Sequence, residues 1–195
     1  MAGGAADRTG VFAMDLLRDV STAELVKRAQ AADQAAWNAL TARYTNLLWS
    51  VARGMRLGSD DAADAVQTTW LRLVERLDTV REPEHLGSWL ATTVRRECLA
   101  ILRRRVPTPT DSDWDSLPDD DAAPLDAGLL KTEQESALWR AFRLLKPRCQ
   151  ALLRVLMADP PPAYADVAAS LDMPVGSIGP SRQRCLANLR KLAMP

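Results

Sequence analysis

Arginine is the side chain in this sequence that is best placed to do chemistry, because it gathers in two clusters. Arg95 and Arg96 are followed by a run of three arginines at 103–105, and Arg182 and Arg184 lie near the carboxyl end. A guanidinium group carries several N–H donors in one plane and binds phosphate oxygens well. The clusters therefore predict contacts with a phosphate backbone, with a basic helix end that only faces solvent as the alternative.

Catalytic chemistry is not expected. Cys98, Cys149 and Cys185 are far apart and form no C-x-x-C pair, which argues against a disulfide framework and a zinc site and predicts reduced thiols. His85 is the only histidine, and no carboxylate cluster with metal-ligand spacing accompanies it. We expect neither an enzyme nor a metal or cofactor site.

Composition favours an all-α fold. Hydrophobic residues make up 47% of the 195 residues and aromatics only 5%, with many Ala and Leu, the residues of helices rather than of sheets. No apolar run approaches the roughly 20 residues of a membrane helix. The start of the chain lacks the features of a signal peptide, so we expect a flexible N-terminus (1–20), no membrane insertion and a cytoplasmic protein.

Charge divides the chain into basic and acidic parts, although the net charge is zero. Residues 81–105 carry a net +3, residues 106–136 a net −8 and residues 137–195 a net +6. Between the basic parts, a Pro- and Asp-rich stretch has too little apolar surface to order itself. We predict two small helical domains, 21–105 and 133–195, joined by a flexible acidic linker, 106–132.

Four helices are predicted in the first domain. The S-x-x-E pattern at Ser21 predicts a capping box and a helix start, and apolar residues at three- and four-residue steps predict a second helix from about Asp33 to Arg53. Ser59 is expected to cap a third helix over about 60–77, and a fourth is expected over about 88–105. The expected inward residues of the second and fourth helices are Trp37, Leu40, Tyr44, Leu47, Leu48, Val51, Trp89, Leu90, Val94 and Leu99.

A helix-turn-helix is predicted over residues 164–192. Val167 and Leu171 share a face, Ala168 is small at a helix crossing, and Asp172 takes the turn position where Gly is favoured. Pro180 is best placed in a first helical turn, so either Ser177 is the N-cap or the second helix starts earlier and bends. The second helix should direct one set of residues inward: Ile178, Leu186, Leu189 and Leu192.

Residues 64–72 (DAVQTTWLR), residues 87–90 (GSWL) and the arginines that follow resemble the second conserved region of sigma-70 family factors. The short extracytoplasmic-function, or group 4, type is the most similar. The resemblance implies docking on the clamp helices of the largest RNA polymerase subunit through Asp64, Gln67, Thr68 and Arg72. It implies capture of a flipped minus-ten base by a loop over 84–88 and DNA contact by the helix after it, through Glu84, His85, Leu86, Gly87, Ser88, Trp89, Arg95 and Arg96.

The last part of the chain resembles the fourth region of the same factors, which reads the minus-thirty-five element. Residues 144–153 (LLKPRCQALL) and 176–178 (GSI) carry the likeness. Arg can address guanine and Gln adenine in a major groove. The expected minus-thirty-five contacts are Arg148, Tyr164, Ser177, Gly179, Pro180, Ser181, Arg182, Gln183 and Arg184.

Together these observations predict a promoter-specificity subunit whose partners are core RNA polymerase, promoter DNA and an anti-sigma factor. A self-sufficient helix-turn-helix regulator is the alternative, and it would need a dimer interface or a ligand pocket. Two interpretations of the acidic linker stay open: imitation of RNA phosphates along the polymerase, or a solvated spacer that sets reach.

Overall fold

The computed structural model describes residue 17, residues 19–105 and residues 133–194. Throughout this described part the regular structure is helical and no strand occurs, which confirms the all-α prediction. Most of the predicted flexible N-terminus and the whole predicted linker lie outside it. The α-helices are α1 (Thr22–Gln30), α2 (Gln34–Gly54), α3 (Ser59–Arg76), α4 (Leu86–Arg105), α5 (Glu133–Arg143), α6 (Pro147–Leu156), α7 (Tyr164–Leu171) and α8 (Val175–Ala193).

Side-chain caps start the first two helices, and the one at Ser21 was predicted. The Ser21 hydroxyl accepts a hydrogen bond from the Glu24 amide at 3.2 Å. Asp33 caps α2 by accepting from the amides of Ala35 and Ala36. Arg28 donates to the same carboxylate at 2.8 Å, and this hydrogen bond is the main reason why the pKa of Asp33 lies below its ordinary value.

The next two helix starts differ from the prediction. Gly58 is the N-cap of α3, with no side-chain hydrogen bond, and Ser59 is the first helical residue, so the expected cap at Ser59 is wrong. The Ser59 hydroxyl donates instead to the neighbouring Asp60 carboxylate at 3.3 Å. Helix α4 begins at Leu86, two residues before the predicted start, because the 3₁₀ turn Pro83–His85 continues directly into it.

Helices α1–α4, here called the N-terminal group, enclose a large apolar core. Leu25, Leu40, Leu48, Leu90 and Val94 are all at most 1% exposed, so the predicted inward faces of α2 and α4 are largely confirmed. Several tryptophans are only partly buried at the edge of this core. Among them, the rings of Trp37 and Trp70 meet edge to face with centroids 6.0 Å apart.

Helices α5–α8, here called the C-terminal group, contain the predicted helix-turn-helix in α7 and α8. Val167 and Ile178 are fully buried, and Asp172 adopts the left-handed conformation (φ 52°, ψ 56°) expected at the turn. The proposed N-cap at Ser177 is wrong: α8 starts earlier, at Val175 after Pro174, as the other interpretation required. Pro180 therefore lies inside the helix.

Two residues of the predicted inward face of α8 point outward. Leu186 and Leu192 are 42% and 41% exposed, whereas Leu189 is partly buried. Cys185 takes the inward position, 5% exposed, because seven residues after Ile178 is two helical turns along the same face. The apolar pattern alone did not distinguish Cys185 from its neighbour.

The expectation of reduced, separate thiols is wrong for two of the three cysteines. Cys149 of α6 and Cys185 of α8 form a disulfide, with Cα atoms 5.4 Å apart. The helix-turn-helix packs α8 against α6 and so brings together residues separated by 36 positions in sequence. Cys98 is free and buried in the N-terminal group.

The two groups pack directly against each other. Helix α7 lies along α4, and α6 lies along α2. Gly54 permits the second approach, since a Cβ on it would stand 3.3 Å from the Cα of Ala151. Asn46 also donates to the Asp159 carbonyl at 2.6 Å. The buried apolar residues of the two groups consequently form one continuous cluster.

Candidate polymerase and nucleic-acid interfaces

One face of α3 is exposed and chemically mixed. Its inner side is fixed by Ala65, Thr69 and Leu73, all fully buried, and the Thr69 hydroxyl donates to the Ala65 carbonyl at 2.8 Å. The outer side carries three of the predicted polymerase-binding residues as exposed side chains and Thr68 as a half-buried one. The four predicted residues, which the helix brings to one side, are Asp64, Gln67, Thr68 and Arg72.

Two apolar side chains lie among them. Leu71 and Val74 are each 56% exposed, which is a cost for an isolated protein unless the surface is used for binding. Arg72 pairs with Glu97 of α4 at 2.9 Å, so α4 orients this arginine. The face therefore offers an apolar centre with polar and charged groups around it.

The segment predicted to capture a base is a 3₁₀ turn followed by the first turn of α4, not an open loop. Glu84 and His85 are exposed, whereas Leu86 is 2% exposed and belongs to the core. Gly87 is buried, and Ser88 and Trp89 are half-buried. In this arrangement only the first two residues of the segment are open to a ligand.

Helix α7 covers the rest of the segment. The Ser88 hydroxyl donates to the Asp166 carboxylate at 2.7 Å. A Cβ on Gly87 would collide with that carboxylate, so a larger residue there would require the Asp166 side chain to shift. Burial raises the pKa of Asp166, and the hydrogen bonds from Ser88 and from the backbone only partly oppose that effect.

The two arginines expected to approach DNA lie in different environments. Arg96 is exposed. Arg95 was expected at the surface, but its side chain is only 13% exposed, and its terminal nitrogen lies 3.4 Å from a carboxylate oxygen of Asp172. Its Nε is buried with no hydrogen-bond partner among the described residues. Acidic residues of the C-terminal group thus meet the predicted minus-ten surface.

The predicted minus-thirty-five surface is open. Arg182, Gln183 and Arg184 are exposed along α8, and Arg184 donates to the Ser181 hydroxyl at 3.2 Å. Nothing lies within 4 Å of the place where a Cβ on Gly179 would stand. The remaining residues of the prediction flank this strip and are exposed or half-buried: Arg148, Tyr164, Ser177, Pro180 and Ser181.

Leu71 and Val74 were not predicted as functional residues, nor were the acids that meet α4. An apolar residue outside the buried stripe of a helix is a signal that was available for the first two. Asp166 and Asp172 carried no such signal, because only the packing of α7 against α4 gives them partners. Within the described residues no cluster of potential metal ligands occurs, and no helix is long and apolar enough to cross a membrane.

Comparison with known proteins gives consistent matches. The Sigma-70 region 2 family matches residues 40–107. The ECF RNA polymerase sigma factor SigM of Mycobacterium tuberculosis is 30% identical over 88% of this chain and 84% of its own. The ECF RNA polymerase sigma-E factor of Escherichia coli K12 is 26% identical over 79% of this chain and 84% of its own.

A solved structure has a similar fold. The sigma factor RpoE of Bartonella quintana, in complex with the anti-sigma factor NepR, aligns with a TM-score of 0.56 over 80% of this chain and 95% of its own. The two sequences are 22% identical, so this likeness concerns the fold alone.

Proposed function

The chain belongs to the extracytoplasmic-function group of sigma-70 family sigma factors, and on that basis we propose how its surfaces divide the work of promoter recognition. It is a promoter-specificity subunit of RNA polymerase: it binds the core enzyme, recognises promoter DNA and promotes initiation. The residue assignments rest on one observation. The arginine-bearing surfaces of α4 and α8 are separate from the mixed apolar and polar face of α3.

The face of α3 is the docking site for the clamp helices of the largest polymerase subunit. Leu71 and Val74 supply apolar contact at its centre, and Asp64 and Gln67 supply hydrogen bonds that fix the register. Replacing Leu71 and Val74 with serine should weaken core binding by about 10-fold or more, because two exposed apolar anchors are lost. A matched control is the exposed Lys27→Ala on α1, which should bind core as the parent does.

The minus-ten element is read by Glu84, His85 and the residues that continue into α4. A base extruded from a duplex exposes its hydrogen-bonding edge and ring face, which a pocket can read. Asp166 and Asp172 occupy this surface in the closed arrangement of the two groups. Promoter engagement therefore requires α7 to leave α4, which frees Ser88 and Arg95 for the nucleic acid.

The minus-thirty-five element is read by α8. Arg182, Gln183 and Arg184 face the major groove, and Arg148 and Tyr164 contact phosphates on either side. Arg182→Ala should lower discrimination between promoter and mutated promoter by about 1–3 kcal/mol. Arg190→Ala, on the same helix and also exposed, is the control and should leave that discrimination unchanged.

Run-off transcription tests the function as a whole. Purified core polymerase with this protein should give transcripts from a promoter library that share two spaced upstream motifs, and core alone should not. Failure to bind core, together with sequence-specific binding of duplex DNA by the protein alone, would replace this proposal with the self-sufficient regulator.

Further assignments follow from the same function. The protein acts in the cytoplasm and catalyses no reaction of its own. The relative from Bartonella quintana was solved with an anti-sigma factor, and we assign a partner of that kind to this chain.

The acidic segment 106–132 connects domains 21–105 and 133–195. Changing its seven Asp to Asn distinguishes the two interpretations of this segment. Altered promoter escape supports RNA mimicry, and unchanged escape supports a spacer.

A further inference from the structure

The disulfide lies in the wall of a cavity within the C-terminal group. The cavity, about 320 Å³, opens between α6 and α8, and both Cys149 and Cys185 line it. Of its eight other lining residues four are apolar and four are polar, and the polar ones include Arg148 and Arg184. A small neutral molecule can therefore enter the cavity that both cysteines line, where the two arginines also lie.

The third cysteine has none of these properties. Cys98 is fully buried in the N-terminal group, and burial raises the pKa of its thiol to about 12. Because the thiolate is the reactive form of cysteine, this thiol is inert at neutral pH. Cys149 is half-buried and lines the same cavity as Arg148 and Arg184. The chain thus contains one pair that lines a cavity and one fully buried cysteine that serves as an internal control.

We propose that Cys149 and Cys185 form a reversible redox pair that responds to peroxides. In the reduced protein the thiolate of Cys149 attacks the peroxide O–O bond, forming a sulfenic acid and releasing hydroxide, which becomes water after protonation. The Cys185 thiolate then attacks that sulfur and displaces the oxygen as a second water. Two thiols are oxidised to one disulfide while one hydrogen peroxide is reduced to two waters.

Reduction returns the pair to two thiols by exchange with a dithiol, which is itself oxidised to a disulfide. Reductants keep most cytosolic thiols reduced, and disulfides that form there are usually transient and catalytic or redox-sensing. A disulfide between two helices of a transcription factor fits that class. Its state would report the oxidant level to the protein that contains it.

The position of Cys185 couples this chemistry to DNA reading. Cys185 lies next to Arg184 on α8, and the bond ties α8 to α6 across 36 residues. The core beneath α8 is small, so the covalent link contributes a large part of the free energy that holds α8 in position. Oxidation holds the arginines of α8 in place, and reduction loosens them. This last step rests on the proposed function, whereas the redox chemistry does not.

Alkylation of the full chain tests the chemistry. After treatment with hydrogen peroxide, iodoacetamide followed by mass spectrometry should leave Cys149 and Cys185 unmodified even in denaturant, and dithiothreitol should restore their labelling. Cys98 should be labelled only in denaturant, in both states. Labelling of Cys149 or Cys185 after peroxide would overturn the proposal.

Thermal unfolding tests the mechanical effect. The Tm of the protein should fall by at least about 5 °C on reduction, the scale expected when a loop of this length loses its closure. Cys149→Ser should abolish this redox response and Cys98→Ser should keep it. Equal Tm values for the oxidised and reduced parent protein would contradict the proposal without recourse to any variant.

Transcription separates the two proposals. Protein oxidised or reduced and then freed of reagent is added to core polymerase, and the oxidised form should give several-fold more transcript from a promoter that depends on its minus-thirty-five element. Equal activity of both forms would overturn the link to DNA reading. Inactivity of both forms would count against the proposed function, while the alkylation result would still decide the redox chemistry.

Discussion

The two helical groups are stabilised by different means. Of the twelve largest fully buried side chains in the described residues, ten lie in the N-terminal group and two, Val155 and Ile178, in the C-terminal group. The C-terminal group compensates with a disulfide and by packing α6 and α7 on its partner. The proposed polymerase-docking face thus rests on the larger share of the buried core, whereas the proposed minus-thirty-five reader also relies on the disulfide and on contacts with the N-terminal group.

This difference suits the two tasks. A docking face must keep its shape before and after core binding, and a deep apolar core provides that rigidity. The proposed DNA reader must instead leave α4 before it engages a promoter. Its contacts with the N-terminal group combine apolar packing with a few polar bonds, so binding of core polymerase and promoter DNA must supply the free energy that separates them.

The largest effect is expected from the core of the N-terminal group. Leu90 is fully buried, and Leu90→Ala should lower the free energy of unfolding by about 3 kcal/mol, from lost burial and the cavity left behind. Urea denaturation measures this change. Leu71→Ala, a leucine 56% exposed on α3, is the control and should alter stability by less than about 0.5 kcal/mol.

The contact between α2 and α6 should break next. Gly54→Leu places atoms against the backbone of Ala151, which cannot yield unless the helices separate, and should cost about 1–3 kcal/mol of packing. The separation of the helices should appear as a larger radius of gyration in small-angle scattering. Gly176→Ala, where a Cβ meets nothing within 4 Å, should leave the radius unchanged; expansion of both variants would contradict this interface.

The helix caps give a smaller effect. Ser21→Ala removes the side chain that accepts from the Glu24 amide and should cost about 1 kcal/mol. Ser59→Ala removes a hydroxyl that caps nothing and should cost less than about 0.5 kcal/mol. Thermal unfolding followed by circular dichroism compares the pair, and equal losses would mean that Ser59 is a cap after all.

The smallest effect is expected at Asp166. The pKa of Asp166 is raised in the folded protein, so the closed arrangement binds the carboxyl proton more tightly. The proton's stabilisation of this arrangement is therefore complete below the unfolded pKa and is lost as pH rises through the folded pKa. Asp166→Asn keeps an acceptor for Ser88, removes this pH dependence and favours closure by less than about 1 kcal/mol, since the group is partly exposed. A pH series of scattering curves should show this, with the exposed Asp78→Asn unchanged from the parent.

Local features were predictable from the sequence. Ser21 and Asp33 act through amides within three residues, and the left-handed turn at Asp172 follows from helix-turn-helix spacing. The exposure of the strip on α8 was also predicted, because it follows from helical periodicity. The start of α4 was missed by two residues, because a 3₁₀ turn and an α-helix share the same apolar spacing over so short a segment.

Long-range pairs were not predictable. Nothing in the sequence around Cys149 or Cys185 shows that α6 and α8 meet, and the sequence distance of 36 residues suggested the opposite. The contacts of Arg95 and Ser88 with the acids of α7 and of the following turn were unpredictable for the same reason. Such contacts depend on how helices distant in sequence pack together, and local patterns contain no information on that packing.

Energy transfer between dyes on the two groups tests most directly whether a closed promoter reader opens on its target. Non-natural side chains at the exposed positions Gln34 and Lys191 carry the dyes, and transfer is measured for the protein alone, with core polymerase, and with core and promoter DNA. We predict high transfer in the protein alone and a clear fall in the promoter complex. Equal transfer in all three states would contradict this prediction.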